Sequence, residues 1–196
     1  MSKLFVFDLD GVLIDSLLNM KNAWNSVRVK HEIETPFEDY KAQIGKPFPD
    51  IMSELGLFDR HLEIYDTYKT YSQINIHTIP MYEDVNETLN ALKDQGHKIA
   101  LCTSKTKETT NILLSKFPKF DYVCCPQQGL RGKPAPDQLL YTIAMCNVDP
   151  KDAIYIGDMM PDLQCAVRAG VHFEYAEWGF GELKCEHTLK SITNLI

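Results

Sequence analysis

Two carboxylates separated by one apolar residue, Asp8 and Asp10, close the first hydrophobic run of the chain, Leu4-Phe5-Val6-Phe7, and Gly11 follows them at once. The apolar run reads as a buried strand, and the glycine frees the backbone to bend beyond it. Side chains alternate along a strand, but where the strand ends a turn can bring both acids to one mouth. Carboxylates forced together at the end of a buried strand repel each other unless a cation or a shared proton compensates. Such a pair suits Mg2+, which takes a few carboxylates together with the phosphate of a substrate.

Other residues able to do chemistry recur further on: Thr103-Ser104, Lys133, Asp158 and Asp162. Taken as one site, they describe phosphoryl transfer, which depends on positioning and on neutralising charge at the phosphate. Asp8 is the candidate nucleophile, forming an aspartyl-phosphate. Asp10 is the candidate general acid toward the leaving oxygen, and then the base for an attacking water. Thr103 offers a hydroxyl, and the helix start near Ser104 offers backbone N–H groups to a phosphate. Lys133 supplies a fixed positive charge against Asp8 and the phosphate. Asp158 adds a third carboxylate to the metal site, with Asp162 one helical turn on as metal support or as the partner of Lys133.

The elements that must position these groups follow from hydrophobic periodicity. After Asp15-Ser16 the pattern turns helical, with Leu17, Met20, Trp24 and Val27 on one face and Ser16 as N-cap. Further helical faces follow at Phe37-Tyr40-Ile44, Phe48-Ile51-Met52-Leu55 and Leu62-Tyr65-Tyr68, punctuated by Gly45 and Gly56. Residues 16–79 therefore read as a small all-helical insertion, with Pro80 marking the return. The remainder alternates helix and strand. The strands are Lys98–Cys102, Tyr122–Cys125, Ala153–Ile156 and Val171–Tyr175, and the helices between them end at glycines such as Gly96 and Gly170. Five strands alternating with helices predict an α/β, doubly wound parallel sheet of Rossmann-like type. Ligands bind such sheets at the carboxyl ends of the strands. Asp8/Asp10, Thr103/Ser104 and Asp158 all fall there.

Asp8-Leu9-Asp10-Gly11-Val12-Leu13 resembles the first motif of the haloacid dehalogenase-like hydrolase superfamily. Leu101-Cys102-Thr103-Ser104 resembles the second, Gly132-Lys133-Pro134-Ala135-Pro136-Asp137 the third, and Gly157-Asp158-Met159-Met160-Pro161-Asp162 the fourth. The resemblance extends over essentially the whole chain and is to the branch of phosphoglycolate phosphatases and β-phosphoglucomutases, which carry a helical cap after the first strand. It implies Asp8 as nucleophile, Asp10 as acid and base, and Mg2+ held by Asp8, the backbone carbonyl of Asp10 and Asp158. It also implies a Rossmann-like catalytic core of residues 1–15 and 80–196, with a cap of residues 16–79. Lys46, in a turn of that cap, and Lys105, beside the second motif, are the candidate specificity residues. Tyr65, Tyr68 and Tyr71 are read as cap packing, and Trp178-Gly179-Phe180-Gly181 is given no catalytic role.

Composition narrows the partners. Of 196 residues, 20 are basic and 27 acidic, a net charge of −7 that disfavours nucleic acid and anionic membranes. No apolar stretch reaches the roughly 20 residues needed to span a bilayer. The chain opens directly on its first strand, so a cytoplasmic enzyme, monomer or homodimer, is expected. The six cysteines include no CxxC pair and read as small buried hydrophobes, and the six histidines show no metal-ligand spacing and are assigned no role. The leading expectation is a Mg2+-dependent phosphatase of a small-molecule phosphomonoester. The alternatives are a phosphotransferase or mutase of the same fold, and a non-catalytic protein that binds a phosphorylated metabolite. Dehalogenation is disfavoured by the second aspartate, Asp10. Phosphonate hydrolysis would need a desolvated lysine, and nothing marks Lys21 or Lys30 as one.

Overall fold

A computed structural model describes residues 2–196. The chain runs β1 (Leu4–Phe7), α1 (Leu17–His31), α2 (Phe37–Lys41), α3 (Phe48–Glu54), α4 (His61–Ile74) and α5 (Val85–Asp94). It continues through β2 (Lys98–Cys102), α6 (Lys107–Leu113), β3 (Tyr122–Cys124), α7 (Asp137–Met145), β4 (Ala153–Gly157), α8 (Met160–Ala169), β5 (His172–Ala176) and β6 (Thr188–Leu189). All strand pairings are parallel, in the order β3-β2-β1-β4-β5-β6. Successive strands depart from β1 in both directions, so the switch point lies between β1 and β4, where a crevice opens beyond their carboxyl ends.

The strands of the sheet's centre are apolar throughout because both their faces are covered. Phe5, Phe7, Ile99, Leu101 and Ile156 face one core with Val85, Leu89 and Leu92 of α5. Their neighbours Leu4, Val6, Ala100, Cys102 and Tyr155 face the other, with Leu139 and Ile143 of α7 and Cys165 and Ala166 of α8. This alternation of faces is the two-residue period of a strand covered by helices on either side.

A third core lies among α1–α4. Trp24, Val27, Phe37, Tyr40, Met52 and Ile64 are buried together, and Met159 and Phe180 reach this cluster from the sheet side. Trp24 stacks on Tyr40 at 4.6 Å between ring centroids, and Tyr40 lies 5.5 Å from Tyr68. The segments leading into and out of this helical layer run side by side. The Asp15 N–H donates to the Pro80 carbonyl at 3.0 Å, and the Tyr82 N–H to the Leu13 carbonyl at 3.2 Å.

Three local expectations need correction. The sheet has six strands rather than five, because Thr188–Leu189 adds a short parallel edge to β5. Two residues carry no readable period. Ser16 precedes α1 but does not cap it with its side chain, which turns back to the first loop instead. The helix after β2 begins at Lys107, capped by Thr106, so Ser104 lies before the helix start rather than in it.

Candidate active site

The crevice gathers the acids at its floor. Asp8 follows β1 and Asp158 follows β4, the two strands at the switch point. Asp158 and Asp162 are fully buried, and Asp8 nearly so. Asp8, Asp158 and Asp162 each present an oxygen within 4.8 Å of the others. Lys133, also without exposed surface, lies beneath Asp8. Its Nζ is 2.8 Å from Asp8 Oδ1 and 2.7 Å from Asp162 Oδ1. One ammonium against three carboxylates leaves an excess of negative charge in a medium that solvates it poorly.

That excess is visible in the acidities. Burial pushes the Asp8 carboxyl up to about 7; Lys133 opposes this and Asp162 reinforces it. Burial, then Asp162 and Asp8, holds the Asp158 carboxyl well above its ordinary range. Burial alone would lower the Lys133 pKa, but Asp162 and Asp8 more than reverse this, so the ammonium is held protonated.

The donor set fits a hard divalent cation. Asp162 spends its oxygens elsewhere: Oδ1 accepts from the Tyr155 hydroxyl at 2.8 Å and Oδ2 from the Met159 N–H at 3.0 Å. Asp158 Oδ2 accepts the Phe180 N–H at 2.6 Å, whereas its buried Oδ1 has no partner among the described residues. An orphaned buried carboxylate oxygen is costly unless a cation answers it. Asp8 and Asp158 are therefore the residues able to hold such an ion, with Asp162 steadying Lys133.

Backbone packs closely around Asp158. A β-carbon on Gly179 would lie 2.3 Å from Asp158 Cβ, and one on Gly181 would lie 2.1 Å from the Asp158 carbonyl oxygen. Gly11, at φ +84°, would bring a β-carbon within 2.1 Å of Asp158 Oδ2. The segment Trp178–Gly181, to which no role was assigned, thus positions an acid of the site. It does so with an N–H and with missing side chains. The Gly-x-Gly spacing was the one available signal.

Asp10 stands at the rim. Its Oδ1 accepts from Ser16 Oγ at 2.5 Å and lies 3.1 Å from Lys105 Nζ. Ser16, expected as the cap of α1, holds Asp10 instead. Thr103 is buried, and its Oγ1 accepts the Lys105 N–H at 3.1 Å. The Ser104 hydroxyl donates to the Gly45 carbonyl at 2.7 Å, tying this loop to the helical layer.

Above these groups lies a cavity of about 320 Å3. Asp8, Thr103, Ser104 and Lys105 line its floor, with Asp10 at the rim; Tyr40, Lys46, Phe48, Tyr65 and Tyr68 line its roof. Lys133, Asp158 and Asp162 lie behind the floor and do not line the cavity. Tyr65 and Tyr68, read as packing, do both: each ring contacts Phe48 and each borders the cavity, whereas Tyr71 is exposed. Lys46 Nζ is engaged by Gln43 Oε1 at 2.8 Å and Glu54 Oε1 at 3.1 Å.

Among the described residues no helix is long and apolar enough to cross a membrane. The sequence pattern of the haloacid dehalogenase-like hydrolases matches residues 5–176. The chain is 27% identical to a phosphoglycolate phosphatase of Aquifex aeolicus, over 94% of this chain and 89% of that protein. It is 28% identical to the pyrophosphatase PpaX of Bacillus cereus, over 88% and 82%. A crystal structure from Bacteroides fragilis, described as a putative haloacid dehalogenase-like hydrolase, superposes with a TM-score of 0.90 at 25% identity, covering both chains fully.

Proposed function

The chain belongs to the haloacid dehalogenase-like hydrolases, and from that premise we propose that it is a Mg2+-dependent phosphatase hydrolysing a small-molecule phosphomonoester through an aspartyl-phosphate on Asp8. The observation that carries this reading is the contact of Asp8 with buried Lys133 at 2.8 Å, directly beneath a cavity of about 320 Å3. A carboxylate backed by a fixed cation and opening upward into a pocket is arranged to attack, not merely to fold.

In the reaction an Asp8 oxygen attacks phosphorus, the P–O bond to the leaving group breaks, and the Asp10 carboxyl gives its proton to the departing oxygen. Asp10 then takes a proton from a water in the cavity as that water attacks the acyl phosphate, releasing inorganic phosphate and returning Asp8. Ser16 and Lys105 hold the Asp10 carboxyl at the rim. Lys133 holds Asp8 in place and offsets charge as it builds on the phosphoryl oxygens. Thr103 and the backbone beside Ser104 border the space those oxygens would occupy. Mg2+, when held by Asp8 and Asp158, would neutralise phosphate charge and align the phosphoryl group.

The helical layer of residues 16–79 is the cap in this proposal. Its size limits access to small esters and excludes bulk water from the acyl phosphate. The test is release of inorganic phosphate from a panel of small phosphomonoesters, with and without Mg2+, beside an Asp8→Asn control. Mg2+-dependent release that vanishes in Asp8→Asn supports the proposal. Release that persists in the variant would refute Asp8 as nucleophile, and no release from well-folded protein would refute the hydrolase.

A further inference from the structure

We propose a second metal site, distinct from the acidic crevice, formed by His172, Glu174 and His187 at the edge of the sheet and suited to Zn2+. His172 and Glu174 are two residues apart on β5, so their side chains leave the same face. The pairing of Tyr175 with Thr188 sets His187 beside Glu174 on the neighbouring segment. The three residues each present a ligating atom within 4.8 Å of the others. His172 Nε2 is 2.7 Å from Glu174 Oε1, and the two imidazole rings lie 4.6 Å apart. His172 and His187 are exposed and Glu174 half-buried, so an ion can enter without unfolding anything.

Two imidazoles and a carboxylate, with a position left for water, make a familiar donor set for Zn2+. The softer nitrogen donors select against Mg2+, which favours oxygen. Such an ion would join β5 to the segment entering β6 and so fasten both ends of residues 177–187. That stretch contains the Phe180 N–H and the glycines that hold Asp158. The expected role is structural.

The test is titration of metal-free protein with Co2+ and Zn2+ in saturating Mg2+, which occupies the oxygen site. Co2+ should bind one equivalent with the visible absorption of a four-coordinate ion, displaced by Zn2+. Zn2+ at 100 times its Kd should raise Tm by about 5–10 °C. Both responses should be lost in His172→Ala and His187→Ala, whose residues are too exposed for the fold to depend on them, and kept in Cys185→Ser. A sulfur-to-cobalt charge-transfer band that disappears in Cys185→Ser would overturn the site in favour of the thiol. Equal binding by the wild type and both histidine variants would overturn it outright.

The cavity above Asp8 carries an independent inference, which rests on the phosphatase reading: we infer that the leaving group is an uncharged ring. Each lysine that borders the cavity is already matched to an acid, Lys46 to Glu54 at 3.1 Å, Lys69 to Glu108 at 2.6 Å and Lys105 to Asp10 at 3.1 Å. Lys46 and Lys69 are ion-paired, and Lys105 is held against the Asp10 carboxyl beside the reacting centre, so none is free for a second anionic group on the leaving group. The wall is instead aromatic, from Phe48, Tyr65 and Tyr68. A cavity of about 320 Å3 has room for a phosphoryl group and a six-membered ring. Ring faces of this kind prefer stacked or edge-on partners.

Benzyl phosphate, ethyl phosphate and 2-phosphoglycolate, whose leaving alcohols spare the comparison a strongly activated ester, should be compared by kcat/KM. Benzyl phosphate should exceed the other two by about tenfold, and Tyr65→Ala should shrink that margin through KM. A preference for phosphoglycolate, or equal rates for benzyl and ethyl phosphate, would overturn the ring. No release from any of the three would overturn the phosphatase reading itself.

Discussion

Metal-free protein should be destabilised by the buried Asp8 carboxyl as the pH rises, and Asp8→Asn should relieve this. The Asp8 carboxyl titrates at about 7 in the folded chain against 3.8 when unconstrained. An acid with a raised folded pKa binds its proton more tightly folded than unfolded, so stability is full below pH 4 and declines as pH climbs to 7. Linkage over that window gives a loss of about 3 kcal/mol between pH 4 and pH 7 from this one group. Asparagine keeps the shape, carries no charge and cannot titrate. Unfolding by guanidinium in the presence of chelator, followed for both proteins at pH 4, 5, 6 and 7, should show the variant gaining about 3 kcal/mol on the wild type, equivalent to a Tm difference of about 6–12 °C. Adding Mg2+ at pH 7 should close most of the gap, because the ion neutralises the ionised carboxylate in the wild type. Parallel stability curves for the two proteins would refute the charge-excess account of the crevice.

Other perturbations probe the neighbouring groups. Lys133→Met removes the counter-charge from buried acids and should cost about 3–5 kcal/mol at pH 7, with partial recovery at pH 5 in thermal melts. Ser16→Ala withdraws the hydrogen bond to Asp10 Oδ1 and should lower kcat about tenfold, with circular dichroism and Tm little changed. Gly181→Ala drives a methyl toward the Asp158 carbonyl oxygen and should weaken Mg2+ binding by about 10-fold or more in calorimetry. Trp24→Ala empties the centre of the helical layer's core and should destabilise by about 3–5 kcal/mol in urea.

Side chains that announce their chemistry are legible in the sequence. Asp8, Asp10, Thr103 and Asp158 carry functional groups just beyond strand ends, Lys133 and Asp162 carry theirs before α7 and in the first turn of α8, and the alternation of apolar strand and amphipathic helix is strong enough to give the layered fold. What escaped has no such signature. Phe180 serves Asp158 through its backbone N–H, and Gly179 and Gly181 serve by lacking a β-carbon. Ser16 stands where a helix cap belongs, and only its side-chain torsion turns it toward Asp10. His172 and His187 lie far apart along the chain and meet only through the register of β5 against a two-residue strand. The lysines at the cavity were visible as cations, but their engagement by Glu54, Glu108 and Asp10 depends on tertiary approach.

The central place of β1 has a consequence for the order in which the molecule is built. Leu4 lies beside Lys98 on one edge and Ala153 on the other, so during synthesis β1 waits for distant partners on both sides. At ordinary elongation speeds the delay before β4 emerges is roughly 10–30 s. A four-residue apolar strand, Leu4–Phe7, has both hydrogen-bonding edges bare until β2 is made and one edge bare until β4 is, while α1 and α4 are close enough in sequence to pair locally. The helical layer can therefore form early, whereas Asp8 and Asp158 meet only when β4 docks, and until then β1 keeps an unpaired edge open to other chains.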